Sequence, residues 1–337
     1  MALTTVADDA AAATTATTDE TDEIQIGISA CILGQEVRYN GGHKLDRFLR
    51  DTLGAYVRFV PVCPEVEIGL GVPRETLRLE QTGGPETLRL VAPRSGSDHT
   101  AAMVAFARAK ALELGAAELC GYILQKGSPS CGMERVRIYG AGGMPQRNGR
   151  GLFAQVLLEA LPELPVEEDG RLNDPRLREN FIERIFAYRR LRRLFRARWT
   201  RGELVAFHSR EKLLLLAHDR PSYEALGRLV AAAKQTDRAL LVEQYRRLFL
   251  GGLARIATTR KQTNVLQHVA GHLREVLDEA ERRELQELIE SYHRQWVPLI
   301  VPLTLIRHHV RRHGLSYLAQ QTYLDPHPQE LMLRNHV

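Results

Sequence analysis

Three short apolar runs in the first 131 residues each lead into a cysteine, and they limit the possible folds more than any other feature of the chain. Ile24 to Ala30 (IQIGISA) runs into Cys31, and Tyr56 to Val62 (YVRFVPV) runs into Cys63. Leu119 to Leu124 (LCGYIL) opens into the loop Gln125 to Gly132, which carries Cys131. Apolar runs of this length, bounded by turn residues, read as buried strands. Between them Asp46 to Leu53 and His99 to Leu114 have helical patterns, and Glu75 to Val91 reads as a hairpin. Strands alternating with helices predict an α/β domain with a mostly parallel sheet, in which ligands bind outside the carboxyl ends of the strands. Cys31, Cys63 and Cys131 all fall on that rim. Cys120 lies inside the third run and reads as a small core residue.

The periodicity changes farther on. Arg135 to Gly151, rich in Gly and basic residues, reads as a loop over the site and leads into a helix over Leu152 to Leu161. It carries neither a dinucleotide fingerprint nor a P-loop. Residues 162–174 read as a linker, and from Pro175 the pattern is helical throughout, with Thr200 to Glu203 as a cap-like turn. The expected organisation is a disordered acidic tail over 1–23, an α/β domain over 24–161, the linker 162–174 and an all-α basic domain over 175–337. A length of 337 residues suits two domains of about 100–200 residues each.

Charge separates the same halves. Residues 171–337 carry 30 Lys and Arg against 18 Asp and Glu, so the formal net charge of +5 leaves the first 170 residues at −7. An arginine-rich half suits a phosphate-bearing partner such as RNA, tRNA or a nucleotide, or else solvated helix faces with ordinary Glu partners. The longest apolar runs, such as Trp296 to Leu305, are far short of the roughly 20 residues that span a bilayer. The first 23 residues lack the basic start of a signal peptide, and four scattered cysteines are no disulfide framework. Both features fit a cytoplasmic protein without a membrane partner.

Three cysteines are one ligand short of a closed tetrahedral site, and they lack the close Cys-x-x-Cys pairs of structural zinc. An open set of three suits a [4Fe-4S] cluster with one iron free of protein ligands. His268 and His272 have a zinc-compatible spacing, but Val269 stands where the zincin motif needs Glu, so they read as ordinary helix histidines. His308, His309 and His313 read as a basic helix face.

The motifs around the cysteines add to this. Ser29-Ala30-Cys31-Ile32-Leu33-Gly34, Val37 to Lys44 (VRYNGGHK), Val62-Cys63-Pro64-Glu65-Val66, Gly71-Val72-Pro73-Arg74 and Lys126 to Gly132 (KGSPSCG) together resemble the thiouracil desulfidase family over about Ile24 to Leu161. The helical half, with Phe207 to Lys212 (FHSREK), Lys261 to His268 (KQTNVLQH) and Tyr323 to Pro328 (YLDPHP), resembles the domain fused to desulfidase domains in bacterial proteins associated with 4-thiouracil derivatives and thionucleotides. The resemblance implies Cys31, Cys63 and Cys131 as the three cluster ligands, an open iron for the thiocarbonyl sulfur, and Glu65 and Ser128 as acid/base and substrate-contacting groups. Lys126 is placed to stabilise developing negative charge, and Ser29, Ser130, Asn40, His43 and Lys44 are candidate substrate contacts. The implied reaction converts C=S to C=O without redox change, on 4-thiouridine monophosphate or a 4-thiouracil compound. Two alternatives stay open: a tRNA sulfur-insertion enzyme, and an RNA-binding or regulatory metal protein.

Overall fold

The computed structural model describes residues 23–337 except 82, 84–86, 141–143 and 197. The acidic tail over residues 1–22 lies outside them. The first half holds two four-stranded sheets. In the first, β1 (Gln25–Ser29), β2 (Arg58–Val62), β5 (Gly121–Leu124) and β8 (Val166–Glu168) run parallel in the order β2-β1-β5-β8. The chain leaves β1 for one side and returns to the other, so the order reverses between β1 and β5. At such a reversal the loops diverge and leave a crevice at the carboxyl ends of the strands. Cys31 follows β1, Cys63 follows β2, and Cys131 lies in the loop after β5.

The second sheet runs β4-β3-β6-β7, built from β3 (Arg78–Gln81), β4 (Leu88–Val91), β6 (Val136–Tyr139) and β7 (Pro145–Gly149). β3 pairs antiparallel with β4 and parallel with β6, and β6 pairs antiparallel with β7. Arg135 to Gly151 is therefore largely strand, where the sequence predicted a loop. Two more expectations change. Residues 48–55 form a π turn and a 3-10 turn in place of an α-helix. The expected linker contains β8, whose Glu167 and Glu168 are buried because Arg171 and the Met133 N–H satisfy them. Helices α1 (Pro64–Glu67), α2 (Thr100–Ala116) and α3 (Leu152–Ala160) complete this half.

The rest is helical: α4 (Pro175–Arg196), α5 (Arg201–His218), α6 (Arg220–Ala231), α7 (Arg238–Leu253), α8 (Thr259–Leu273), α9 (Glu279–His293), α10 (Ile300–Arg312) and α11 (Ser316–Ala319). The cap-like turn at Thr200 starts α5: the Thr200 hydroxyl accepts the Glu203 N–H, and the Glu203 carboxylate accepts the Thr200 N–H. No described helix is long and apolar enough to cross a membrane.

Two hydrophobic cores meet on α4. Phe181, Ile182, Ile185 and Tyr188 belong to the first, Ala187 and Leu191 to the second, and Leu331 and Leu333 return to the first from the far end of the sequence. Arg334 then enters a buried ion network on the first turns of α4. Its guanidinium donates to Glu183 at 2.7 Å, to Glu179 at 3.2 Å and to the Tyr323 carbonyl at 2.7 Å. Other arginines of the basic half also bond internally: Arg190 to Glu211, Arg192 and Arg196 to Glu118, Arg201 to two carbonyls and Arg246 to Glu163.

Candidate active site at the strand ends

Cys31, Cys63 and Cys131 line one cavity of about 350 Å³, within the usual range for small-molecule sites. Ser29, Lys44, Glu65, Lys126 and Ser128 line it with them, as do Arg38, Tyr39 and Arg74. Ser130 lies behind the wall, fully buried, with its hydroxyl donating to Glu65 Oε1 at 2.9 Å. Asn40 and His43 are exposed and do not line the cavity. Their side chains accept the Gly42 and Leu45 N–H groups, so both shape the turn they sit in.

Each cysteine is placed by local backbone. Cys31 is the second residue of a short 3-10 turn after β1, and its carbonyl accepts the Lys44 N–H at 2.8 Å, closing the 37–44 loop onto the sheet. Cys63 precedes α1, with Pro64 as the first helical residue. Cys131 lies in a turn that Ser128 builds, since the Ser128 Oγ accepts the N–H groups of Ser130 and Cys131 at 3.2 and 3.0 Å. α3 begins directly against that turn. A Cβ on Gly151 would lie against the Ser130 carbonyl, so only glycine allows this approach.

The three thiols resist ionisation. Burial pushes Cys31 up to about 12, with the charges of Cys63 and Asp169 adding to the shift and Arg38 opposing it. Burial raises Cys63, against backbone N–H bonds. Burial also raises Cys131 well above the ordinary thiol value, with Ser29 opposing and Glu65, Cys31 and Cys63 reinforcing. Cys131 therefore feels both other sulfurs as like charges and Cys31 feels Cys63, and a cation between them would relieve that repulsion. Among the described residues no three cysteine sulfurs lie within 4.8 Å of one another. Three soft sulfurs in one cavity wall, with no fourth cysteine among the residues that line it, could hold a soft metal centre.

Glu65 is fixed from two sides. Arg74 Nε and Nη2 donate to Oε2 at 3.0 and 2.5 Å, and the same guanidinium reaches the Val37 carbonyl at 2.9 Å. This holds α1, the 37–44 loop and the 71–74 loop together around the carboxylate. The sequence reading assigned no role to Arg74, although its Gly-Val-Pro-Arg motif was the available signal. Lys126 is tied through its backbone, which donates to Asp169 Oδ1 at 2.7 Å. Ser29 accepts the Gln125 N–H at 3.0 Å and fixes the β5 loop to the end of β1.

A parallel sheet with a crevice at its reversal point, lined there by three cysteines, defines a class of α/β proteins with a cysteine-lined site at the strand ends. The chain belongs to the 2-thiouracil desulfurase family, whose sequence profile matches residues 26–169, and it carries behind that a match to a protein family of unknown function, DUF1722, over residues 212–328. The chain is 38% identical over 165 residues to the uncharacterized protein YbgA of Escherichia coli (strain K12), covering 49% of this chain and 98% of that protein. It is 30% identical over 153 residues to the uncharacterized protein YbbK of Bacillus subtilis (strain 168), covering 44% of this chain and 97% of that one. A solved structure of a [4Fe-4S]-dependent thiouracil desulfidase, TudS, is 33% identical and covers 45% of this chain and 95% of its own, with a TM-score of 0.36.

Proposed function

We propose that the protein is a cytoplasmic desulfidase that converts the C=S group of a thiolated uracil derivative, such as 4-thiouridine monophosphate, to C=O and releases sulfide. The observation that carries the reading is one cavity lined by three cysteines together with a carboxylate clamped by an arginine. Cys31, Cys63 and Cys131 would hold a [4Fe-4S] cluster, which when bound supplies a soft iron for the thiocarbonyl sulfur.

The protein's own groups supply the rest. A water oxygen adds to the ring carbon as the C–S bond breaks, and the sulfur leaves as sulfide, so no electrons are exchanged overall. Glu65 takes the proton from the attacking water, and the Ser130 hydroxyl on Oε1 together with Arg74 on Oε2 fixes the direction in which the carboxylate points. Ser128 is committed to its turn as an acceptor but keeps its O–H to offer a pyrimidine carbonyl. Lys126, Lys44 and Arg38 put positive charge on the cavity wall and suit a substrate bearing phosphate. A small substrate is favoured over RNA because arginines of the basic half bond to carboxylates and carbonyls of the same chain.

The test is anaerobic reconstitution with iron and sulfide, followed by addition of 4-thiouridine monophosphate. Thiocarbonyl absorbance falls in step with sulfide release, and Cys31→Ser abolishes both. A loaded cluster with no turnover on any thiolated uracil would sink the reading.

A further inference from the structure

Far from the cysteine cavity, the start of α9 meets the end of α10. Glu281, His309 and His313 each present a ligand atom there, and these atoms all lie within 4.8 Å of one another. We propose that Glu281, His309 and His313 form a second metal site, for a divalent first-row transition ion, that ties α9 to α10.

Three observations support it. His309 and His313 stand one turn apart, with ring centroids 6.1 Å apart and planes inclined by 24°, so both imidazoles face the same way. His309 is only 3% exposed, yet neither of its ring nitrogens has a hydrogen-bond partner, and the buried Nε2 of His313 has none either. A buried imidazole without partners is a costly arrangement, which an ion at the ring nitrogens would relieve. Glu281 is already oriented: Arg312 donates to Oε1 at 2.6 Å and the Asp278 N–H to Oε2 at 3.1 Å, leaving a lone pair on each oxygen. His308, beside His309 at 5.3 Å between ring centroids, lies outside the set.

The donor set fixes the class of ion. Two imidazoles and one carboxylate suit zinc or ferrous iron, whereas magnesium and calcium require oxygen ligands and cuprous ion prefers sulfur. Three protein ligands also leave a position for water, as in open zinc sites. This site is independent of the cysteine cavity and stands whether or not the desulfidase reading does.

The experiment uses the full chain carrying Cys31→Ser, Cys63→Ser and Cys131→Ser, stripped with a chelator and titrated calorimetrically with zinc. One equivalent binds, and it is lost on adding His309→Ala or His313→Asn. The second variant sits at the helix end, where circular dichroism checks that the fold is retained. In the unsubstituted chain, cobalt provides a second readout: ligation by nitrogen and oxygen gives visible bands without thiolate charge transfer, and His313→Asn removes those bands alone. Absence of zinc binding in the chain with the three cavity cysteines substituted, or equal binding with and without the histidine substitutions, overturns the proposal.

Discussion

Glu65 takes its place from a residue nine positions away. Arg74 holds one carboxylate oxygen and Ser130 the other, so the proposed base has little freedom to turn. Glu65→Gln is expected to lower kcat by about 10²- to 10⁴-fold, the usual worth of a positioned acid/base group. Arg74→Ala leaves the carboxylate held by Ser130 alone and free to shift, and a misplacement of about 1 Å costs roughly 10²-fold. Under the proposed function both variants are expected to take up iron on reconstitution and Cys131→Ser is not, and steady-state turnover beside iron analysis makes the check. The position of Glu65 in the cavity wall was readable in the sequence because it stands two residues after Cys63. Arg74 was not, because its role arises only when the 71–74 loop folds back on α1. Asn40 and His43 misled in the opposite way, since an Asn-Gly-Gly turn uses such side chains locally. His309 was read as part of a basic face, yet it points inward, because neighbouring helix positions divide between opposite faces.

At the level of elements, the carboxyl ends of β1, β2 and β5 bring residues about a hundred positions apart into one wall. Apolar runs bounded by turns disclosed those three strands. β6 and β7 stayed hidden because the alternation of Val136-Arg137-Ile138 is too short to stand out in a Gly-rich, basic segment, β7 has no aliphatic or aromatic alternation at all, and the pairing of β6 with β3 comes from far along the chain. β8 stayed hidden because two adjacent glutamates resemble a solvated linker until their buried partners are seen. The junction of α3 with the Cys131 turn is the most exacting contact between elements at the site. Gly151→Ala is expected to cost about 1–3 kcal/mol by overpacking and to move Cys131 from its place. Urea unfolding measures the first effect, and the iron retained after reconstitution measures the second.

For the molecule as a whole, α4 belongs to both cores and Arg334 closes the far end of the sequence onto it. Burial pushes the Glu183 carboxyl up, but Arg334 and His218 outweigh it and bring it down to about 2. A carboxyl lowered by folding contributes stability above its ordinary value near 4.5. That contribution, about 3 kcal/mol, is lost as pH falls from there toward 2. Urea midpoints across that range are expected to fall, and Arg334→Ala, which takes the guanidinium away from the buried Glu183 and Glu179 and leaves each carboxylate only a histidine partner, is expected to cost about 3–5 kcal/mol at neutral pH. The cysteines act at the alkaline end with the opposite sign. Their raised values in the metal-free protein favour the fold below about 9, and this advantage disappears as pH climbs toward 12. Chelator-treated protein therefore unfolds more easily above pH 9, as thermal melts at successive pH values would record. One connection remains between the ends of this architecture. Arg334 grips the first turns of α4, α4 follows a short turn after Asp169, and Asp169 holds the backbone of Lys126 at the cavity wall. In mechanical terms α4 is a lever whose short arm rests on the lip of the cysteine-lined cavity, so loosening the tail is expected to be felt as faster amide exchange at Lys126, far along the sequence from where the grip was released.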